Sequence, residues 1–105
     1  VNDGWIYLLH FERSLGRRSD RHYRGFTTDP QRRMREHASV RSRSRYTRAF
    51  ASAGVSFVIG GLWPGGRGDE HLVKRIPAKL ICAACAGREV TWTEVLAQTK
   101  RPSSG

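Results

Sequence analysis

Two rhythms of apolar and polar residues alternate along this chain. Gly4 to Phe11, GWIYLLHF, is a run of aromatic and aliphatic residues too short for a typical helix, and it predicts a buried strand. Residues 12–20, ERSLGRRSD, break any period with Gly, Ser and charge, and predict a loop. Arg21 to Thr27, RHYRGFT, predicts a second strand, near enough in sequence to pair with the first as a hairpin. Gly25 interrupts that strand, as glycine does where another backbone or a ligand comes close. Asp29 to His37, DPQRRMREH, changes to a helical pattern: Asp29 can cap the first free N–H groups, and Pro30 suits the first helical position. Tyr46, Ala49, Phe50 and Ala53 recur at i, i+3, i+4 and i+7, one face of a short helix that Gly54 stops. Val55 to Trp63, VSFVIGGLW, predicts a third strand, followed by a PGGRG turn. From Asp69 to Ile76, residues Leu72, Val73 and Ile76 form a helical apolar face, with Glu70 and Lys74 on another face. Thr91 and Glu94 make a T-x-x-E capping box at the head of a last short helix.

The length of 105 residues suits one domain, expected over 1–99, with a flexible polar tail at 100–105. No run of about 18 apolar residues occurs, and VNDGW has neither a basic region nor a cleavage pattern. A cytoplasmic protein without membrane span or signal peptide is the default expectation. The net charge of +10 changes the picture more. Residues 13–48 hold 12 of the 19 basic residues and 3 of the 9 acidic ones, nearly all of the excess. Concentrated positive charge displaces counterions from a polyphosphate backbone, which gives sequence-independent affinity for nucleic acid. The alternatives are an arginine-rich solvated surface, since Arg outnumbers Lys 16 to 3, or an anionic membrane.

Within that basic third, Arg33 and His37 stand four residues apart on one helical face, so a guanidinium and an imidazole share one space. Two cations together favour an anion, and the surrounding basic segments favour phosphate. A first strand carrying Ile6-Tyr7, a second carrying Tyr23-Arg24-Gly25-Phe26-Thr27, a helix with Arg33-x-x-x-His37 and a later Glu70 together resemble the GIY-YIG nuclease family, most closely its small stand-alone members. The resemblance runs from about Gly4 to Ile76. It implies an α/β (α+β) fold with a small three-stranded antiparallel sheet flanked by helices. It also implies hydrolysis of DNA phosphodiesters with one divalent metal, Mg2+ or Mn2+, in a setting such as DNA repair or recombination.

Carried over by position, Tyr7 and Tyr23 match the two family tyrosines, with Tyr7 orienting or deprotonating the attacking water. Arg33 matches the arginine that stabilises the transition state, His37 the residue that assists proton transfer, and Glu70 the single metal ligand. Magnesium keeps its waters, so one carboxylate and a substrate phosphate can hold it. Candidate DNA contacts are Arg17, Arg18, Arg24, Arg32, Arg41, Arg43, Arg45 and Lys74, with the 13–21 loop and the 41–48 segment expected to flank the cleft. Trp5 replaces the first glycine of the family motif and Arg24 the central isoleucine of the second, both structural positions. No asparagine follows Glu70, although the family often has one near its end.

Taken singly, each residue has a plainer reading: Tyr7 and Tyr23 as ordinary aromatics, Arg33 as one of 16 arginines, Glu70 as a first-turn carboxylate favoured by the helix dipole. Their joint order favours the nuclease. The rivals are a DNA-binding module that does not cleave and a subunit of a larger DNA-processing complex. Cys82-Ala83-Ala84-Cys85 lacks a second cysteine pair for zinc, leaving scattered histidines such as His71. The favoured expectation is two ordinary reduced thiols, with a zinc half-site shared across a dimer as the minority reading, and His10 and His22 stay unassigned. The expected partner is DNA, with no membrane and no small-molecule cofactor, and with room for a protein partner.

Overall fold

The structure is a computed structural model that describes residues 4–16 and 21–88. Its first strand, β1 (Gly4–Phe11), becomes the centre of a three-stranded antiparallel sheet because it is apolar on both faces and can be covered on both. β2 (His22–Thr27) and β3 (Phe57–Gly65) pair with it on either side, in the order β2-β1-β3. The fold is therefore α+β, with helices α1 (Pro30–His37), α2 (Arg45–Ser52), α3 (Arg67–Val73) and the single turn α4 (Ala78–Ile81) among the described residues. The Thr91–Glu94 capping box and the 100–105 tail lie outside the described residues.

Alternation along β1 divides the molecule. Trp5, Tyr7, Leu9 and Phe11 point to one face and pack with Met34 of α1, Phe50 of α2 and Ile59 and Leu62 of β3. α1 begins as the sequence leads one to expect: Asp29 accepts a hydrogen bond from the Arg32 N–H at 3.2 Å, with Pro30 in the first turn. α2 is capped by Ser44, whose side chain accepts from the Thr47 N–H, and Gly54 follows it with φ of 72°. Ile6, Leu8 and His10 point to the other face. There β3 carries a bulge: Leu8 pairs with Gly61 and Leu9 with Ile59, so Gly60 is the extra residue.

Three expectations shift. β3 starts two residues later than the apolar run and continues through Pro64 to Gly65, absorbing part of the expected turn; an edge strand tolerates a proline whose missing N–H faces away from the ladder. α3 starts earlier than Asp69, because the Asp69 carboxylate accepts from the Gly66 N–H at 2.8 Å and so closes the first turn as its third residue. The Leu72, Val73 and Ile76 face is not core: Leu72 is 59% exposed and Ile76 40%. Other groups lie against the second face of the sheet. The Phe26 ring lies against Gly4, the Trp63 ring folds over Gly61, and Cys82 sits on Gly60. α4 has no counterpart in the sequence reading.

Candidate functional site

Tyr7 is the hub of the polar groups on the first face. Leu9 pairs with Tyr23 across β1 and β2, so Tyr23 shares the face of Leu9 and Tyr7, and the two tyrosine rings lie 6.3 Å apart. Opposite Tyr7 in the ladder is Gly25. A Cβ there would come within 2.3 Å of the Tyr7 hydroxyl, so the missing side chain lets Tyr7 lie across β2 to the sheet edge. α1 meets the hydroxyl at that edge: His37 Nε2 is 2.7 Å away, and Arg33 Nε donates to the hydroxyl at 3.3 Å. The helical spacing of Arg33 and His37 thus becomes two contacts to one oxygen.

The hydrogen bonds continue inward. His37 Nδ1 is 2.9 Å from Thr47 Oγ1, which lies 2.8 Å from Ser42 Oγ. Thr47 Oγ1 donates to the Ser44 carbonyl at 3.4 Å, and its remaining lone pairs can accept from His37 Nδ1–H and from the Ser42 hydroxyl. In that assignment His37 Nε2 is the acceptor and Tyr7 the donor. Burial, reinforced by the charge of Arg33 and opposed by Glu36, lowers the His37 pKa to about 4, so the imidazole is neutral near pH 7. Burial also pushes the Tyr7 hydroxyl up to about 12, against the hydrogen bond and charge of Arg33; the charges of Tyr23 and Glu70 add to the rise.

Arg33 leads outward. It pairs with Glu36 at 3.0 Å and lines a polar groove of about 200 Å³ with Arg32, Arg43, Asp29 and Glu36. A larger apolar cavity of about 420 Å³ borders His37, Met34, Val55 and Phe57, and offers an anion little beyond Arg35. Glu70, on α3, acts on Tyr7 through its charge, and its carboxylate pairs with Lys74 at 3.2 Å. A hard cation at this carboxylate would compete with Lys74 for the same oxygen.

The candidate DNA contacts divide by environment. Arg32 and Arg43 line the groove, and Arg41 and Arg45 are exposed near it in sequence. Arg24 faces the other side of the sheet, where its guanidinium donates to the Val73 carbonyl at 2.9 Å and also to that of Ile76, tying β2 to the end of α3. Lys74 is engaged with Glu70. Arg17 and Arg18 lie outside the described residues.

Ser42 and Thr47 could not be picked out in the sequence, because a hydroxyl in a serine-rich segment gives no sign that it will meet a histidine ring. The sequence reading also left His10, His22, Cys82 and Cys85 apart. These four ligand atoms lie within 4.8 Å of one another, the only such group of three or more His, Cys, Asp or Glu residues among the described residues. Both cysteines are free thiols, as expected, but they stand beside His10 and His22, so four candidate ligands come together within one chain.

The fold and these contacts define an α+β domain with a tyrosine–histidine–arginine cluster at a sheet edge. Comparison of the chain with protein-family models, with curated proteins and with solved structures finds no match.

Proposed function

We propose that this chain is a divalent-metal-dependent endonuclease that hydrolyses DNA phosphodiesters with little intrinsic sequence preference. One observation carries the reading: Arg33 and His37 meet on the Tyr7 hydroxyl, over a glycine that leaves it room, beside a groove lined by three arginines. The GIY-YIG resemblance supplies the reaction class.

In this reading the groove takes the DNA backbone, and Arg33 faces the phosphate being cut, where its fixed charge stabilises the negative charge that grows as water adds to phosphorus. Tyr7 accepts the proton of that water while passing its own to the neutral Nε2 of His37, and Thr47 holds the His37 ring through Nδ1. The bond to the leaving oxygen breaks as the new P–O bond forms, and that oxygen takes its proton from bulk water, while His37 later returns its own to solvent. A divalent cation on Glu70, whose charge reaches Tyr7 from the α3–α4 side of the sheet, would supply Lewis-acid stabilisation of the same phosphate. Tyr23 packs 5.1 Å from His37, ring to ring, and keeps the cluster in place.

A second reading, a DNA-binding module that does not cleave, draws on the burial of Tyr7 and His37, each 1% exposed, and on the pairing of Glu70 with Lys74. Incubating the purified chain with single-stranded, duplex and branched DNA, with and without magnesium, separates the two. The nuclease reading expects magnesium-dependent nicks that Glu70→Gln abolishes. Binding without nicks on every substrate would favour the module.

A further inference from the structure

We propose that His10, His22, Cys82 and Cys85 form a structural zinc site that fastens the α3–α4 layer to the sheet. His10 Nδ1 lies 3.1 Å from His22 Nε2 and 3.4 Å from Cys82 Sγ, and Cys85 Sγ lies 3.6 Å from His10 Nδ1 and 3.3 Å from His22 Nε2. Zinc bonds of about 2.0–2.1 Å to nitrogen and about 2.3 Å to sulfur give tetrahedron edges of about 3.3–3.8 Å, close to these separations. The donor set fits zinc, which takes two thiolates and two imidazoles in closed structural sites, and does not fit magnesium, which takes oxygen.

The fold builds this site from three parts of the chain. His10 and His22 are direct partners in the β1–β2 ladder, which sets their rings side by side at 4.9 Å. The cysteines arrive from the other direction, immediately after α4. The Ala83 N–H donates to the carbonyl of Gly60, the bulge residue, at 2.8 Å. A Cβ on Gly60 would lie 2.6 Å from Cys82 Sγ, so bulge and glycine together make room for the thiol. Zinc binding displaces one proton from each thiol, and two thiolates neutralise the ion, leaving a neutral centre beside a chain of high positive charge.

The layer has a need for it. Neither α3 nor α4 contributes a buried residue, and Leu80 is 71% exposed, so apolar packing holds this layer weakly. All four tetrahedral positions are filled by protein, which makes the site a clasp and not a catalytic centre. By holding the segment that follows α3, it also restrains the helix that carries Glu70. The inference stands independently of the nuclease reading.

The test uses the full chain purified without chelators. Elemental analysis is expected to find one zinc per chain, and the cobalt-substituted protein to show the visible bands of tetrahedral Co2+ with thiolate charge transfer in the near ultraviolet. Cys85 is exposed, so Cys85→Ser keeps the packing and removes one ligand. It should weaken zinc affinity by more than the roughly 10–100-fold that losing a supporting contact costs, and reduce the charge-transfer band. Chelation should lower the melting temperature of the parent and leave that of Cys85→Ser less affected. A folded chain that takes up neither zinc nor cobalt would overturn the site, as would equal affinity in the parent and Cys85→Ser. A Cys82–Cys85 disulfide formed under reducing, zinc-replete conditions would overturn it too.

Discussion

The two faces of the sheet are held by different physics. On the α1–α2 face, Trp5, Tyr7, Leu9 and Phe11 are buried with Met34 and Phe50, and the polar groups among them, His37, Thr47 and Ser42, are buried and hydrogen-bonded to one another. On the α3–α4 face, Ile6 and Leu8 are as deeply buried, but the helices above them present Leu72, Ile76 and Leu80 to solvent. The contacts there include an arginine on two carbonyls, Arg67 over the Phe26 ring, a docked Cys82-Ala83 segment and the His/Cys cluster. A hydrophobic face resists change in proportion to the area it buries, whereas a face held by a few polar or metal contacts depends on each of them. A buried polar network on the first face combines both properties, which makes it the more sensitive of the two.

The largest stability effect should come from acid. Unfolded His37 titrates at its ordinary value of 6.5 and folded His37 at about 4, so above pH 6.5 both states are neutral and the group contributes nothing to pH dependence. As pH falls from 6.5 to 4 the unfolded chain takes up a proton that the folded chain resists, and stability should drop by on the order of 3 kcal/mol. Urea unfolding across this window, compared with His37→Gln to remove the contribution of other groups, measures it. Equal pH profiles would show that His37 is not held neutral.

Thr47→Val keeps the shape of the side chain and removes the oxygen that His37 and Ser42 share. It should cost about 1–3 kcal/mol, because two buried polar groups lose a partner. Denaturant midpoints at pH 7 decide this, and a change below about 0.5 kcal/mol would mean that the relay does not hold the ring.

The smallest effect belongs to the other face. Leu80→Ser should change stability by no more than about 0.5 kcal/mol, since the side chain is 71% exposed. A larger loss in the same denaturant measurement would show that Leu80 is covered, and the contrast between the faces would have to be redrawn.

What could be read in the sequence follows the same division. β1 was legible because a strongly apolar stretch of eight residues, too short for a typical helix, has few other fates, and α1 because Asp29 and Pro30 are local signals acting within one turn. The limits of α3 were not, because its start depends on Asp69 reaching back to Gly66 and its end is held by Arg24 from a strand far away in sequence. Leu72 and Ile76 keep a helical period, but a period says which side chains share a face and not whether anything covers that face. Arg33 and His37 could be placed together from spacing alone, whereas Thr47 joins them only through the packing of α2 on α1. The His/Cys cluster was the least visible. His10 and His22 meet by strand register, and Cys82 lies 72 residues beyond His10, so no local spacing joins them.

The measurement that bears most directly on the nuclease reading compares DNA cleavage and DNA binding by the parent and Arg33→Ala at one fixed salt concentration, after circular dichroism shows both to be folded. Arg33 is one of 16 arginines, so its loss should change affinity only a few-fold. A guanidinium that faces the transition state should instead be worth about 10²–10³ in rate. Cleavage should therefore fall about 10²–10³-fold in Arg33→Ala with binding nearly unchanged; a parent-like cleavage rate in that variant would contradict the nuclease reading.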